Sequence, residues 1–199
     1  ADVVTGLAEA GRNAGRKIVV LVECDTGAHR NGVQSPQAAL ELAQTIDRTP
    51  GLECGGLMTY AGVGQRLQAE KFLVEARELC RAAGLETKVI TSGGSPDMWK
   101  DEGLSQLTEY RAGTYIYFDR SLAERGTCAY SDCAVQVLAT VVSRPTSERA
   151  LIDAGTKSLT SDLLGLQGYG AAHELGDAQV YAANEEHGYL DTSQLARKP

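Results

Sequence analysis

Strand-length apolar runs alternate with helix-patterned segments ahead of Asp119, and several runs end beside a glycine with an arginine or hydroxyl close by. Residues 17–23 (Lys-Ile-Val-Val-Leu-Val-Glu) are nearly continuous in apolar character, which suits a parallel strand covered on both faces. Ser35-Pro36 then supplies an N-cap and a first-turn proline, and Ala38, Leu42, Ala43 and Ile46 give the following helix one apolar face. Pro50-Gly51 breaks the chain before a second strand over 52–58. A further helix is predicted over about 68–83, with Phe72, Leu73, Ala76 and Leu79 inward and Gly84 ending it. Residues 88–91 read as a third strand, a short helical segment falls near 101–107, and Glu109-Tyr110-Arg111 follows.

This βαβαβ rhythm fits a parallel sheet with right-handed crossovers. It supplies three or four β/α units, about half of a barrel, and half a barrel leaves raw sheet edges. The chain therefore reads as a piece of something longer. Beyond Asp119 the character changes. Residues 134–142 are long and β-branched, 149–153 and 179–183 are shorter strand candidates, and turn residues rather than helices separate them. The predicted fold class is α/β. A partial (β/α) TIM-type barrel over 1–125 is followed by part of an antiparallel β-rich domain over 126–199.

Composition narrows the function classes. A chain of 199 residues with 43% hydrophobic and 23% charged residues suits one domain, or one and a part. A net charge of −7 argues against non-specific nucleic-acid binding. No apolar run approaches the about 20 residues that span a bilayer, and residues 1–15 do not read as a signal peptide. The five cysteines are odd in number and lack zinc-knuckle spacing. Cys24, Cys54 and Cys80 read as buried free thiols in a reducing, cytoplasmic compartment. Cys128 and Cys133 lie in a looser segment, placed to pair if oxidised.

Chemistry concentrates at the predicted C-terminal ends of the strands, the end that carries catalysis in β/α barrels. Residues 25–33 (Asp-Thr-Gly-Ala-His-Arg-Asn-Gly-Val) either hold Arg30 over a ligand oxygen or form a solvated loop, with His29 a loop residue rather than an acid or base. Residues 91–96 offer hydroxyls and the amides of Gly93 and Gly94, which make an anion nest or a tight turn. Tyr60 stands after the second strand, and Arg111, Gly113 and Thr114 follow the fourth. Their recurrence at successive strand ends carries more weight than any one of them. In the β region, residues 185–188 (Glu-Glu-His-Gly) offer a metal site or an acid–base pair, with an ordinary structural role slightly favoured because a third metal ligand is not obvious. Lys157 has no special standing as a Schiff-base lysine.

Taken in order, these stretches resemble the fold-type III pyridoxal-phosphate enzymes, those with an alanine-racemase-type barrel, and within them the D-threonine aldolase and D-serine dehydratase branch. The likeness rests on residues 23–33, 57–62, 92–96, 111–119, 153–157 and 185–188. It implies that Arg30 contacts the cofactor's phenolic oxygen and that Tyr60 sits beside the pyridine ring or its nitrogen. It implies that Ser92, Gly93, Gly94, Gly113 and Thr114 hold the phosphate, and that Arg111 matches a position facing the pyridine nitrogen. His187 would lie near the substrate or metal. The implied cofactors are pyridoxal 5'-phosphate and, in the full-length protein, a divalent metal ion (Mn, Mg or Zn). The implied substrate is a small β-hydroxy D-amino acid and the implied assembly a homodimer. The family's Schiff-base lysine is expected upstream of Ala1 and its metal ligands downstream of Pro199, so this stretch alone would be inactive. A non-catalytic cofactor carrier and a phosphosugar-binding barrel are the rival expectations.

Overall fold

The computed structural model describes residues 2–100, 105–176 and 178–195. The chain divides into two compact units, Ala1–Tyr115 and Ile116–Pro199. In the first, the parallel sheet has the order β1-β2-β3-β4, from β1 (Ile18–Cys24), β2 (Leu52–Thr59), β3 (Val89–Ser92) and β4 (Glu109–Tyr110). Three helices accompany it: α1 (Asp2–Asn13), α2 (Pro36–Arg48) and α3 (Arg66–Ala82). Helix α1 is absent from the sequence reading. Its inward positions are Val4, Leu7, Ala8 and Gly11, whose spacing is helical but whose side chains are mostly too small to stand out.

Local chemistry starts α2 as its sequence suggests. Ser35 is extended, and its Oγ accepts the Ala38 amide at 3.1 Å with Pro36 in the first turn. Ala39, rather than Ala38, joins Ala43 and Ile46 in the core. Leu73, Ala76 and Cys80 bring α3 onto the same cluster, against Val22, Leu57 and Ile90 of the sheet. The glycine pair in β2 lets the strands close up. At Gly56 φ is +144°, and a Cβ there would stand 1.8 Å from the Val89 carbonyl oxygen. The opposite face of the sheet is less covered, with Val19 60% exposed, whereas the apolar run suggested cover on both faces.

Residues 101–104 of the expected short helix lie outside the described residues, and 105 and 106 form a turn.

The second unit contains helix α4 (Arg120–Glu124) and a five-stranded antiparallel sheet of order β5-β6-β9-β8-β7. Its strands are β5 (Val141–Ser143), β6 (Arg149–Ile152), β7 (Gly170–Ala172), β8 (Ala178–Ala183) and β9 (Gly188–Asp191). Ala150, Ile152, Val180 and Leu190 form its core. The long strand expected over 134–142 is corrected: only its end is strand, within β5, and Val135, Val137 and Leu138 are exposed. A strand exists only with a hydrogen-bonded neighbour, and 134–140 have no ladder partner among the described residues.

The free thiols of Cys24, Cys54 and Cys80 are buried. Burial pushes the Cys24 thiol up to about 12. Cys128 and Cys133 are free and half-buried.

Candidate functional site

Four loops at the C-terminal edge of the first sheet carry the candidate residues. The loop after β1 is a closed excursion: the Asp25 amide donates to the Val33 carbonyl, and the Val33 amide to the Glu23 carbonyl, both at 2.9 Å. Asp25 builds it from inside, its carboxylate accepting the Gly27 and His29 amides at 3.0 Å and the Gln34 side-chain amide at 3.2 Å. The Gly27 bond, with the Gln34 and His29 contacts behind it, holds the Asp25 carboxyl below its usual range against the cost of desolvation. The loop delivers Arg30 to the face of Tyr60, with 4.6 Å from guanidinium carbon to ring centroid. Glu23 at 3.7 Å and Asn31 at 3.1 Å fix the same guanidinium.

A buried hydroxyl pair locks the roots of the first two loops. Thr59 Oγ1 donates to the Cys24 carbonyl at 2.7 Å, so its single proton is spent, and Thr26 donates to Thr59 at 2.9 Å. Arg111 spans the next strands: Nε donates to Thr91 Oγ1 at 3.0 Å and Nη2 to the Thr59 carbonyl at 2.5 Å. The strand-end arginine thus lies across β2 and β3 rather than in solvent.

The glycine turn after β3 requires glycine in one place. Gly93 has φ +130°, and a Cβ there would meet the Arg111 amide nitrogen at 2.7 Å. At Gly94 a Cβ would lie 3.3 Å from the Tyr60 ring, so this turn packs beside the cation–aromatic pair. Tyr110 Oη donates to the Gly94 carbonyl at 2.8 Å. Ser95 Oγ accepts the amides of Gly113 at 3.3 Å and Tyr115 at 3.0 Å. A Cβ on Gly113 would meet nothing within 4 Å, so open space adjoins it, next to Thr114. Contacts therefore run from Arg30 to Tyr60, to Gly94, to Ser95 and to Gly113, with Arg111 beneath.

Ser95, Thr59, Glu23 and Tyr110 are site residues that the sequence reading did not single out. Ser95 lies inside the quoted stretch 91–96, but its acceptor role depends on a turn about twenty residues onward, which no local pattern shows. His187 lies in the turn before β9 of the second unit, with its amide bonded to Asn184 Oδ1 at 2.8 Å. Lys157 forms an exposed ion pair with Glu186, which lowers the Glu186 carboxyl.

The architecture has counterparts among known proteins. The alanine racemase N-terminal domain family matches residues 1–121, and a serine dehydratase domain family matches 134–199. The chain belongs to the alanine racemase N-terminal domain family. It is 34% identical to D-threo-3-hydroxyaspartate dehydratase of Delftia sp. (strain HT23), over 92% of this chain and 54% of that protein. It is 31% identical to D-threonine aldolase of Arthrobacter sp., over 97% of this chain and 53% of that one. The solved structure of the Delftia sp. HT23 dehydratase superposes with a TM-score of 0.81 at 31% identity, covering 98% of this chain and 58% of that one. That of D-threonine aldolase from Filomicrobium marinum gives 0.80 at 25%, covering 98% and 56%. The fold is thus the α/β barrel sheet with a separate antiparallel β unit. The chain spans about half the length of the curated relatives it matches.

Proposed function

We propose that the whole protein is a pyridoxal-phosphate lyase acting on a small β-hydroxy D-amino acid, by aldol cleavage or by dehydration. The observation that carries this is the run of contacts at the strand ends, from the Arg30–Tyr60 stack to the Gly93, Gly94 and Gly113 turns. These residues fit the cofactor. A planar cation stacked on a phenol ring suits a planar anionic ring, and open space at Gly113 suits close approach of a phosphate. Bound pyridoxal phosphate supplies an electron sink that lets a bond at the substrate's α or β carbon break.

The chain's own residues do the rest. Arg30, steadied by Glu23 and Asn31, binds the phenolic oxygen. Tyr60 flanks the ring. Arg111 would face the pyridine nitrogen, where a guanidinium, which only donates, would keep a proton off it. Ser92, Gly93, Gly94, Gly113 and Thr114 hold the phosphate, with Ser95 setting the spacing between the two turns. A divalent metal ion (Mn, Mg or Zn) is proposed to serve the β-hydroxyl in the whole protein. One support is that a solved structure of a D-threo-3-hydroxyaspartate dehydratase mutant is described as the metal-free form. A homodimer in the cytoplasm completes the reading. The buried free thiols Cys24, Cys54 and Cys80 suit a reducing compartment. No described helix is long and apolar enough to cross a membrane.

The test is cofactor titration of the intact protein by visible absorbance, followed by product analysis with D-threonine and D-serine. Glycine with acetaldehyde identifies aldol cleavage, and a 2-keto acid with ammonia identifies dehydration. Saturable cofactor binding without turnover would make it a carrier. Failure to bind pyridoxal phosphate at all would leave the phosphosugar barrel.

A further inference from the structure

Residues 117–134 of the second unit form a closed excursion held by hydrogen bonds more than by packing. Its ends meet where the Ala134 amide donates to the Tyr117 carbonyl at 2.8 Å. Inside it, Asp119 caps α4 by accepting the Leu122 amide at 3.0 Å, and Tyr130 Oη donates to the Glu124 carboxylate at 2.5 Å. Among the described residues of this stretch only Leu122 and Thr127 are buried. Segments with so little apolar burial open most easily.

The excursion carries a pair of thiols. Cys128 and Cys133 flank one 3-10 turn, Tyr130–Asp132. The Asp132 amide donates to the Ala129 carbonyl at 3.0 Å and the Cys133 amide to the Tyr130 carbonyl at 3.1 Å. The Asp132 carboxylate accepts the Ala129 amide at 2.8 Å. The chain thereby doubles back and brings the thiols into contact, Cys128 donating its hydrogen to Cys133. Free thiols ordinarily serve as small apolar groups in a core, and Cys24, Cys54 and Cys80 do so. Cys128 and Cys133 join neither core, and both are free and half-buried, within reach of a small reagent.

We propose that Cys128 and Cys133 are a reversible disulfide-forming site that clamps the 117–134 excursion. The oxidant is a small disulfide of the glutathione class. One cysteine attacks it, a protein–glutathione disulfide forms, and one glutathione thiol leaves with the proton. The second cysteine then attacks the mixed disulfide, the Cys128–Cys133 bond forms, and a second glutathione thiol leaves with the other proton. Two protein thiols are oxidised and one glutathione disulfide is reduced. Desolvation, with the neighbouring thiol and Asp132 behind it, pushes the Cys128 thiol up, and desolvation with Asp119 pushes Cys133 up. Protonated thiols make the first exchange slow. Contact between the two sulfurs favours the second over release of the mixed disulfide. The clamp is independent of which cofactor the strand ends of the first unit receive.

The test holds the intact, unmodified protein in glutathione buffers of rising disulfide fraction, alkylates the remaining thiols and maps them by peptide mass spectrometry. The expected product is one peptide with an internal Cys128–Cys133 disulfide, returned to two alkylatable thiols by dithiothreitol, with Cys24, Cys54 and Cys80 still reduced. Glutathione left on either cysteine without ring closure would overturn the proposal. So would a disulfide between two molecules, or thiols 128 and 133 that stay alkylatable in fully oxidised glutathione. Amide exchange over 127–134 should also slow about tenfold or more on oxidation of the parent and stay unchanged in Cys133→Ser. Equal slowing in that variant would show that the clamp is not the cause.

Discussion

Gly93 and Gly113 look alike in the sequence, each a small residue beside a strand end, yet the structure sets them opposite tasks. At Gly93 the backbone is left-handed and the Arg111 main chain is 2.7 Å from where a Cβ would stand. Gly93→Ala should therefore cost about 2 kcal/mol or more of folding stability, measured by urea unfolding. Gly113 faces open space. Gly113→Ala should leave stability within about 0.5 kcal/mol of the parent while weakening pyridoxal-phosphate affinity in the intact protein. Unchanged affinity would remove Gly113 from the phosphate site. Arg111 shows a similar division. Its place at a strand end is visible in the sequence, but its span across Thr91 and Thr59 is not, because Thr59 is 52 residues away.

Helix α2 is the element most fully specified by local sequence. Its Ser35 cap bond and first-turn Pro36 are both in place, and Ser35→Ala should lower stability by about 1 kcal/mol in thermal or urea melts. The 93–97 turn depends instead on distant charge. Burial alone would raise the Asp97 carboxyl. The Lys100 ammonium, the Gly64 amide and the Arg66 charge outweigh it and hold the carboxyl below its usual range. A carboxyl lowered by folding stabilises the folded state above its unfolded pKa of about 3.9, and that contribution fades as pH falls through the lower folded value. Urea midpoints at pH 7 and pH 3 should therefore differ less in Asp97→Asn than in the parent. An identical acid loss in both would show that Asp97 is not the group responsible. Residues 134–140 mark the limit of pattern reading for an element. Their β-branched alternation is real, but alternation describes a strand's faces and cannot supply the neighbour it must pair with.

Across the whole molecule, two separate sets of buried residues define two cores, one around Leu57, Leu73 and Ile90 and one around Ala150, Val180 and Leu190. Truncating either should leave a cavity. Leu73→Ala and Leu190→Ala are each expected to cost about 2–5 kcal/mol. Amide exchange should report the first in β1–β3 and the second in β6, β8 and β9. Loss of protection spread evenly over both sheets in either variant would contradict two cores. The chain's boundary between compact units, at 115/116, falls where the apolar barrel rhythm gives way to short strands.

By itself the sequence determined the parallel β/α order, α2 and α3, the antiparallel character of the second unit and the crowding of glycine, arginine and hydroxyl residues at strand ends. These are written in short-range periodicity and turn chemistry, which a few neighbouring residues suffice to express. Tertiary structure alone decided that Arg30 lies on Tyr60, that Ser95 joins two turns, and that Arg66 is buried beside Asp97. It also decided that Val135, Val137 and Leu138 face solvent. Those outcomes depend on which distant segments meet, and chain closure over tens of residues is set by the packing of the whole sheet and its helices rather than by any local pattern.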